Sequence, residues 1–197
     1  MPEQSTHFTP EETINNGLGV LIHEKTLFHG SSVKGISTFN SAEEATVGNG
    51  LYLTSKPEDA RGYARRRSKI SGEPILYESQ IKNMRFLDLR KESNVAEILK
   101  GFLEKLKIIA KKPNLKWYYL ASLNGAIEKI EKNEIDHMNL REVTSAHGGL
   151  FSEYVQSLGY DGLIALEGGE GEDIGNHDSY LIFDPQKVTI TTSQAIS

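Results

Sequence analysis

The sequence of 197 residues predicts an α+β protein. Several short apolar segments bounded by glycine, proline or asparagine are typical of β-strands. Two segments with helical periodicity stand together between these strands instead of alternating with them one by one. This grouping favours an α+β arrangement over a doubly wound parallel sheet.

Composition is that of an ordinary globular protein, with 38% hydrophobic and 25% charged residues. A chain of this length can bury one substantial hydrophobic core. We therefore expect a flexible N-terminal arm over residues 1–18 and a single domain over residues 19–197, with a helical insertion at about 93–150.

The charge balance bears on possible partners and location. The formal net charge is -5 and the pI is about 5.7, which disfavours nucleic acid as a partner. There is no cysteine, so disulfides, thiolate catalysis and cysteine-based metal sites are excluded, and we assign no metal site. The polar start is unlike a secretory signal and no apolar run is long enough to span a bilayer. We expect no membrane partner and a cytoplasmic protein, or one delivered by a route that needs no signal peptide.

The first half of the chain predicts strands around one helix. Residues 25–31 form a short strand interrupted by glycine, and Gly48-Asn49-Gly50 forms a turn that leads into a strand at Leu51–Thr54. Residues 56–69 predict a helix with proline in its first turn, acids early and arginines late, as the helix dipole favours. Residues 74–89 carry one or two strands.

The second half begins with a predicted helical hairpin. Its apolar positions recur at helical spacing in two series, Leu99, Phe102, Leu106 and Ile109, then Leu120, Leu123, Ile127 and Ile130, which Pro113-Asn114 separates. After the His-Gly-Gly stretch at 147–149, we expect a helix at 150–159, a strand at 160–166, a glycine-rich acidic loop at 167–178, and a strand from 179 that turns at Asp184-Pro185 and resumes.

Three side chains form a candidate binding site. His29 precedes Tyr52 by 23 residues, and Tyr63 follows Tyr52 by 11 residues on the predicted helix. Two aromatic rings in one cleft can hold a flat heterocycle between them, while an imidazole can hydrogen-bond a neighbouring sugar hydroxyl. Gly30 would allow the strand backbone to approach a ligand amide closely. Such a site suits a nucleotide with a planar leaving group.

Three ordered segments resemble the ADP-ribosyltransferase superfamily, in its His-Tyr-Glu branch, which includes diphtheria toxin and the poly(ADP-ribose) polymerases. "FHGSS" resembles the His-Gly-Ser/Thr strand of the family, "GNGLYLTSKPEDARGYA" its Gly-x-Gly-hydrophobic-Tyr strand and following helix, and "SYLIFDPQKV" its last conserved strand. Residues 91–150 are unmatched. The resemblance implies a split β-sheet core, into which the helical hairpin is inserted.

The resemblance also implies residue roles and a substrate. NAD would be consumed as a substrate, with His29 and Gly30 holding the adenosine ribose and the nicotinamide amide. Tyr52 and Tyr63 would stack on the nicotinamide ring, and Ser31 would lie near the adenosine ribose. From a run of arginines at positions 61, 65, 66 and 67, which suits the NAD pyrophosphate, we assign Arg65 to NAD binding.

One position departs from the family pattern. The third member of the triad, a glutamate before the last strand, is replaced by Ser179, which carries no charge to stabilise the transition state. Asp178 is adjacent, but it would face the site only if the strand started late or contained a bulge. The other sources are Glu170, Glu172 and Asp173 in the glycine-rich loop. We assign Asp178 the carboxylate role and count Ser179 with the catalytic set.

These expectations lead to a predicted function with alternatives. The first reading is an NAD-dependent mono-ADP-ribosyltransferase, a toxin or effector, that modifies a protein or small-molecule acceptor and releases nicotinamide. If water attacks instead, the enzyme is an NAD glycohydrolase. The alternatives are an impaired module that binds NAD or ADP-ribose, and a toxin of this fold that modifies nucleic acid.

Two charged segments bear on the acceptor. Residues 96–116 hold six lysines against two glutamates, and residues 161–179 hold six acids with no lysine or arginine. An acidic loop beside the acceptor would attract a cationic group and repel phosphate. The lysine-rich segment fits a solvated helix face better than a nucleic-acid contact, while the acidic segment fits a solvated loop equally well.

Overall fold

The computed structural model describes residues 12–13, 17–42, 47–168 and 176–196, with the backbone alone for 12–13. Seven strands and five α-helices form within these residues. In chain order they are β1 (Glu12–Thr13), β2 (Gly19–Ser31), β3 (Leu51–Thr54), α1 (Pro57–Ser68), β4 (Ile75–Asp88), α2 (Glu92–Ala110), α3 (Trp117–Glu131), α4 (Arg141–Thr144), α5 (Gly148–Ser157), β5 (Gly162–Glu167), β6 (His177–Ile182) and β7 (Thr189–Ala195).

Five of the strands close into a ring. β2 pairs with β3, β3 with β6, β6 with β5, β5 with β4, and β4 pairs back with β2. Only the β4–β5 pairing is parallel, so the sheet is mixed, while β1 pairs with β2 and β7 with β4 as additional strands. The α+β class is confirmed. The split sheet that the resemblance implied is not seen as two separate sheets, because the long strands β2 and β4 pair along their whole length and join both halves.

Two hydrophobic clusters lie on the two sides of this ring. One fills its interior with side chains such as Leu27, Tyr77 and Phe86, all fully buried. The other lies outside it, where Phe102 of α2 and Phe151 of α5 meet the outer face of β4, β5 and β6. The residues of a strand alternate between its faces, so the ring supplies side chains to both clusters.

Helix α1 crosses β2 closely because both carry small residues at the contact. Ala60 and Ala64, one helical turn apart, are fully buried. A Cβ added to Gly30 would collide with the carbonyl oxygen of Ala60 and stand 2.7 Å from the amide nitrogen of Ala64. Gly30 therefore allows this helix to sit directly on the strand, and its approach to a ligand amide stays a prediction.

Most local predictions agree with the observed elements. β3 and α1 occupy the predicted ranges, α2 and α3 form the predicted hairpin, and β4 is one long strand. β2 is longer than expected, because its twelve pairings with β4 extend it well before residue 25. The predicted loop at 167–178 is shorter than expected, because β5 extends to Glu167 and β6 begins at His177.

The predicted N-terminal arm falls mainly outside the described residues. Within it, Glu12–Thr13 pairs with β2 as the short strand β1. The division into an arm and one domain stays a prediction. Among the residues described, no helix combines the length and the apolar character needed to cross a bilayer.

Candidate functional site

A cavity of about 200 Å³ opens between β2, β3, α1 and the adjoining ends of β5 and β6. Its wall contains the three residues that sequence reasoning grouped, His29, Tyr52 and Tyr63, although 34 residues of chain separate the first from the last. The remaining lining residues are Phe28, Gly30, Asn40, Ala42, Gly50, Leu51, Leu53, Thr54, Ala60, Arg67, Glu167 and His177.

His29 is held in one tautomer. Its Nδ1 lies 2.9 Å from the carbonyl oxygen of Tyr52, and because a carbonyl only accepts, Nδ1 carries the proton and donates it. Burial lowers the pKa of His29, the carbonyl contact raises it, and the nearby charge of Arg67 lowers it again, for a net decrease. The imidazole is therefore neutral at pH 7, with Nε2 as a hydrogen-bond acceptor.

Tyr52 presents its ring to the cavity while its hydroxyl is fully engaged elsewhere. The hydroxyl accepts from the backbone amides of Val47 and Gly48, each at 3.0 Å, and donates to the Gly48 carbonyl at 2.8 Å. Burial and the neighbouring Glu167 raise the pKa of Tyr52 well above its ordinary value. This phenol stays protonated and acts as an anchored flat surface.

Tyr63 and Arg67 reach the cavity from α1, where their spacing of four places them on one face of the helix. The ring of Tyr63 meets that of His177 edge to face, with centroids 5.6 Å apart. Burial, followed by the charge of Glu167, raises the pKa of Tyr63 to about 12. Arg67 supplies a cation at the wall.

Among the described residues that line this cavity, Glu167 is the one with a carboxylate, and sequence reasoning missed it. Burial raises its pKa, while a hydrogen bond from the Ser179 hydroxyl and the proximity of His177 partly offset that effect. Its Oε1 is buried and has no hydrogen-bond partner within the described structure. Buried carboxylate oxygens are normally paired, so this oxygen is available to a donor from a ligand.

Strand register explains how Glu167 reaches the site. β5 and β6 run antiparallel, with Glu167 opposite His177 and Ala165 opposite Ser179. Residues directly opposite share a face, as do residues two apart along a strand. Glu167, His177 and Ser179 therefore share the face that lines the cavity. The sequence signal was present in the alternation of "GLIALE", but the following glycines made Glu167 look like the start of a loop.

Asp178, to which sequence reasoning assigned the carboxylate role, lies elsewhere. Its carboxylate accepts a hydrogen bond from Nη1 of Arg90 at 2.7 Å, and Arg90 also binds Asp88. β6 starts at His177 and pairs with β5 without a bulge, so Asp178 points to the face opposite Ser179. The exception needed for Asp178 to face the site does not occur.

Of the other residues predicted from the sequence, some line the cavity and some do not. Of the residues that the structure describes, the cavity wall includes Gly30 but neither Ser31 nor Arg65. The Ser31 hydroxyl accepts from the Val33 amide at 3.1 Å. Arg65 and Arg67 are both exposed on α1, and of the two it is Arg67 that lines the cavity. The acidic candidates at 170, 172 and 173 lie outside the described residues.

Comparison with known proteins adds a likeness of fold. No protein-family model matches the chain, and no curated protein matches it at a significant level. Among solved structures, the chain is similar to one in the crystal structure of the M. tuberculosis MbcT–MbcA toxin–antitoxin complex. The TM-score is 0.50 at 8% identity, covering 92% of this chain and 89% of the other. At that identity, the likeness shows a shared fold.

Proposed function

We propose that this protein binds NAD and cleaves its bond between nicotinamide and ribose, transferring ADP-ribose to a protein or small-molecule acceptor, or to water. The observation that carries the proposal is that His29, Tyr52, Tyr63 and Glu167 line one cavity, with a buried carboxylate oxygen left without a partner. This set combines flat aromatic surfaces, a neutral imidazole and a buried carboxyl group.

The wall suits the nicotinamide riboside end of NAD. In our proposal the pyridinium ring lies against Tyr52 and Tyr63, where a cationic ring gains from aromatic faces. The neutral His29 offers Nε2 as acceptor to a ribose hydroxyl, and Arg67 offers its guanidinium to a phosphate. A cavity of about 200 Å³ is small for a whole dinucleotide, so the adenosine end would extend beyond it.

The proposed reaction asks for electrostatic stabilisation at one atom. The bond between ribose C1′ and the pyridinium nitrogen breaks, and its electron pair leaves with neutral nicotinamide. Positive charge develops on the ribose, where an ionised Glu167 that accepts from a ribose hydroxyl would stabilise it. The acceptor nucleophile then attacks C1′ and loses its proton. Ser179 orients the Glu167 carboxylate through its hydrogen bond. This is a positioning role, whereas the sequence analysis counted Ser179 among the catalytic residues.

The test compares two carboxylates that are eleven residues apart. Purified wild type, Glu167→Gln and Asp178→Asn are incubated with NAD, and released nicotinamide is quantified by chromatography. We expect Glu167→Gln to lower kcat by about 100-fold or more, the usual effect of removing a group that stabilises transition-state charge. Asp178→Asn should retain activity within about threefold, because Asp178 lies outside the cavity.

Two outcomes would contradict the proposal in different ways. Binding of NAD by wild type without nicotinamide release would make the protein a binding module. Release that survives Glu167→Gln but fails in Asp178→Asn would restore the carboxylate assignment made from the sequence.

The likeness to a chain from a toxin–antitoxin complex supports a biological role for this activity. We infer that the protein is a toxin whose NAD consumption is restrained by a protein partner. Expression of wild type in a bacterial host should arrest growth and deplete cellular NAD, and the Glu167→Gln variant should do neither. Growth arrest that is equally strong in Glu167→Gln would separate toxicity from the cavity.

A further inference from the structure

We propose that Ser152, on α5, is a positioning residue for the cavity, because it holds the loop that fixes the Tyr52 ring. The inference rests on the proposed function for its choice of ligand, while the contacts that carry it are independent of that choice. It assigns α5 a part in shaping the binding site.

The first link joins the cavity to the loop at 47–50. Three hydrogen bonds hold the Tyr52 hydroxyl to the backbone of Val47 and Gly48. The ring thus has one end fixed to this loop and its body in the cavity wall. A displacement of the loop must rotate the ring or break these bonds.

The second link joins the same loop to α5. The Ser152 hydroxyl accepts from the Asn49 amide at 2.9 Å and donates to the Asn49 carbonyl at 3.1 Å, across 103 residues of sequence. Ser152 is 3% exposed. One side chain thus satisfies both backbone groups of a residue in a turn, groups that would otherwise need water or strand partners.

The loop at 47–50 and α5 are also closely packed against each other. A Cβ added to Gly48 would stand 2.5 Å from Ser152 Oγ, and one added to Gly148 would stand 3.2 Å from the Gly48 Cα. The Gly-Asn-Gly turn and the His-Gly-Gly stretch, each noted separately in the sequence, meet here backbone to backbone. Movement of α5 would therefore be transmitted to Tyr52 instead of being absorbed by mobile side chains.

The first experiment compares Ser152→Ala with Ser157→Ala. Ser157 is on the same helix, but it is exposed and bonds only locally, to the Tyr154 carbonyl. NAD affinity is measured by calorimetry, and KM and kcat by nicotinamide release. We expect Ser152→Ala to raise Kd and KM about tenfold, equivalent to about 1.4 kcal/mol for the lost pair of hydrogen bonds, with kcat within about twofold. Ser157→Ala should change neither.

The split between KM and kcat separates positioning from general destabilisation. A variant that only unfolds more easily lowers the active fraction, and with it the apparent kcat, while its folded molecules keep the wild-type KM. That result for Ser152→Ala would overturn the proposal.

A double-mutant cycle tests whether the effect passes through Tyr52. Tyr52→Phe keeps the ring but removes the hydroxyl that the loop holds. In that background, we expect Ser152→Ala to change NAD affinity by less than about twofold, since the link is already broken. A full tenfold effect in both backgrounds would show that Ser152 acts by another route and would overturn the proposal.

Amide hydrogen exchange, measured without ligand, keeps this proposal distinguishable from the proposed function. Ser152→Ala should speed exchange at the Val47, Gly48 and Asn49 amides, and Ser157→Ala should leave it unchanged. If Ser152→Ala does not fold, Tyr52→Phe gives the reciprocal test, with faster exchange expected at Asn49 as well as at Val47 and Gly48. Unchanged exchange at these amides would reject the link even in a protein that cleaves NAD. Faster exchange in a protein that binds no NAD would reject the proposed function alone.

Discussion

Glu167 shows how a single residue acquires chemistry from its surroundings. Its carboxylate is shielded from water, so burial raises its pKa, and only the Ser179 hydroxyl and the proximity of His177 favour the ionised form. A buried, incompletely paired carboxylate costs folding free energy. Residues with perturbed pKa values in a cavity are frequently functional, because the burial that makes a group reactive also lowers the stability of the fold.

This environment predicts that Glu167→Gln stabilises the protein at neutral pH. The pKa of Glu167 is raised above its unfolded value of 4.5, so the unfolded chain loses its proton first, and wild-type stability falls as pH rises through the folded pKa. Glutamine cannot ionise and escapes this loss. Urea unfolding should therefore show a more stable variant at pH 7.5 and equal stabilities near pH 3.5. A variant less stable than wild type at pH 7.5 would contradict the expectation.

Tyr63 is expected to contribute its ring more than its hydroxyl. Its pKa of about 12 keeps the phenol neutral, and its ring is already oriented by edge contact with His177. Tyr63→Phe should keep NAD affinity within about threefold, whereas Tyr63→Leu should weaken it about tenfold, since aromatic contacts contribute about 0.5–1.5 kcal/mol beyond area burial. Calorimetric titration distinguishes the two. Equal losses in both variants would point to the hydroxyl instead.

Among the elements, the contact between α1 and β2 brings the predicted residues His29 and Tyr63 to one cavity. β2 carries His29, and α1 carries Tyr63 and Arg67. The two elements lie close together because no large side chain separates them at their contact. Glycine on the strand and alanines on the helix supply that closeness. The same glycine that resembled a ligand contact in the sequence thus acts on packing.

Gly30→Ala is predicted to destabilise the fold and weaken NAD binding together. The added Cβ has no free volume, because it meets backbone atoms of Ala60 and Ala64 that cannot rotate away. Overpacking of this kind costs roughly 1–3 kcal/mol. Thermal unfolding and calorimetry are the measurements.

Gly125→Ala is the matched control for Gly30→Ala. A Cβ there meets nothing within 4 Å, and the position is helical, so the substitution should raise stability by up to about 1 kcal/mol. Equal effects of the two substitutions would show that the close packing is not what matters.

At the scale of the whole molecule, a network of ion pairs joins β4 to β6, two strands of the ring that do not pair directly. Arg90 follows β4 and binds Asp88 through Nε at 2.8 Å and Nη2 at 2.9 Å, while its Nη1 reaches Asp178 at the start of β6. Burial alone would raise the pKa of Asp88, but the hydrogen bonds and charge of Arg90 outweigh it, so the net pKa is lowered. These ion pairs tie the end of β4 to the strand beside Glu167.

Arg90→Gln is therefore predicted to destabilise the protein by roughly 2 kcal/mol at pH 7, since it leaves the buried Asp88 without its charged donor. The stability due to the lowered pKa of Asp88 is present above its unfolded value of 3.8 and is lost as pH falls through the folded pKa. The difference from wild type should shrink in urea titrations near pH 2.5.

A second ion pair provides the control for Arg90→Gln. Lys100 bonds Glu97 at 2.9 Å, but both side chains are largely exposed, at 74% and 55%. Solvent-exposed pairs contribute little, so Lys100→Gln should have no measurable effect at either pH. If both substitutions destabilised equally, burial would not explain the role of Arg90.

The sequence by itself determined the α+β class, the helical hairpin, the strand Leu51–Thr54 with its following helix, and the grouping of His29, Tyr52 and Tyr63. The class and the elements depend on periodicity and on turn residues, which are local along the chain. The grouping of the three side chains depends on the resemblance of an ordered set of motifs to a known family. Only the tertiary structure decided that Glu167 and not Asp178 faces the cavity, that Arg67 and not Arg65 lines it, and that five strands close into a ring. The physical reason is that a strand's face and register are set by partners distant in sequence, and a shift of one residue exchanges the buried side chain for its neighbour.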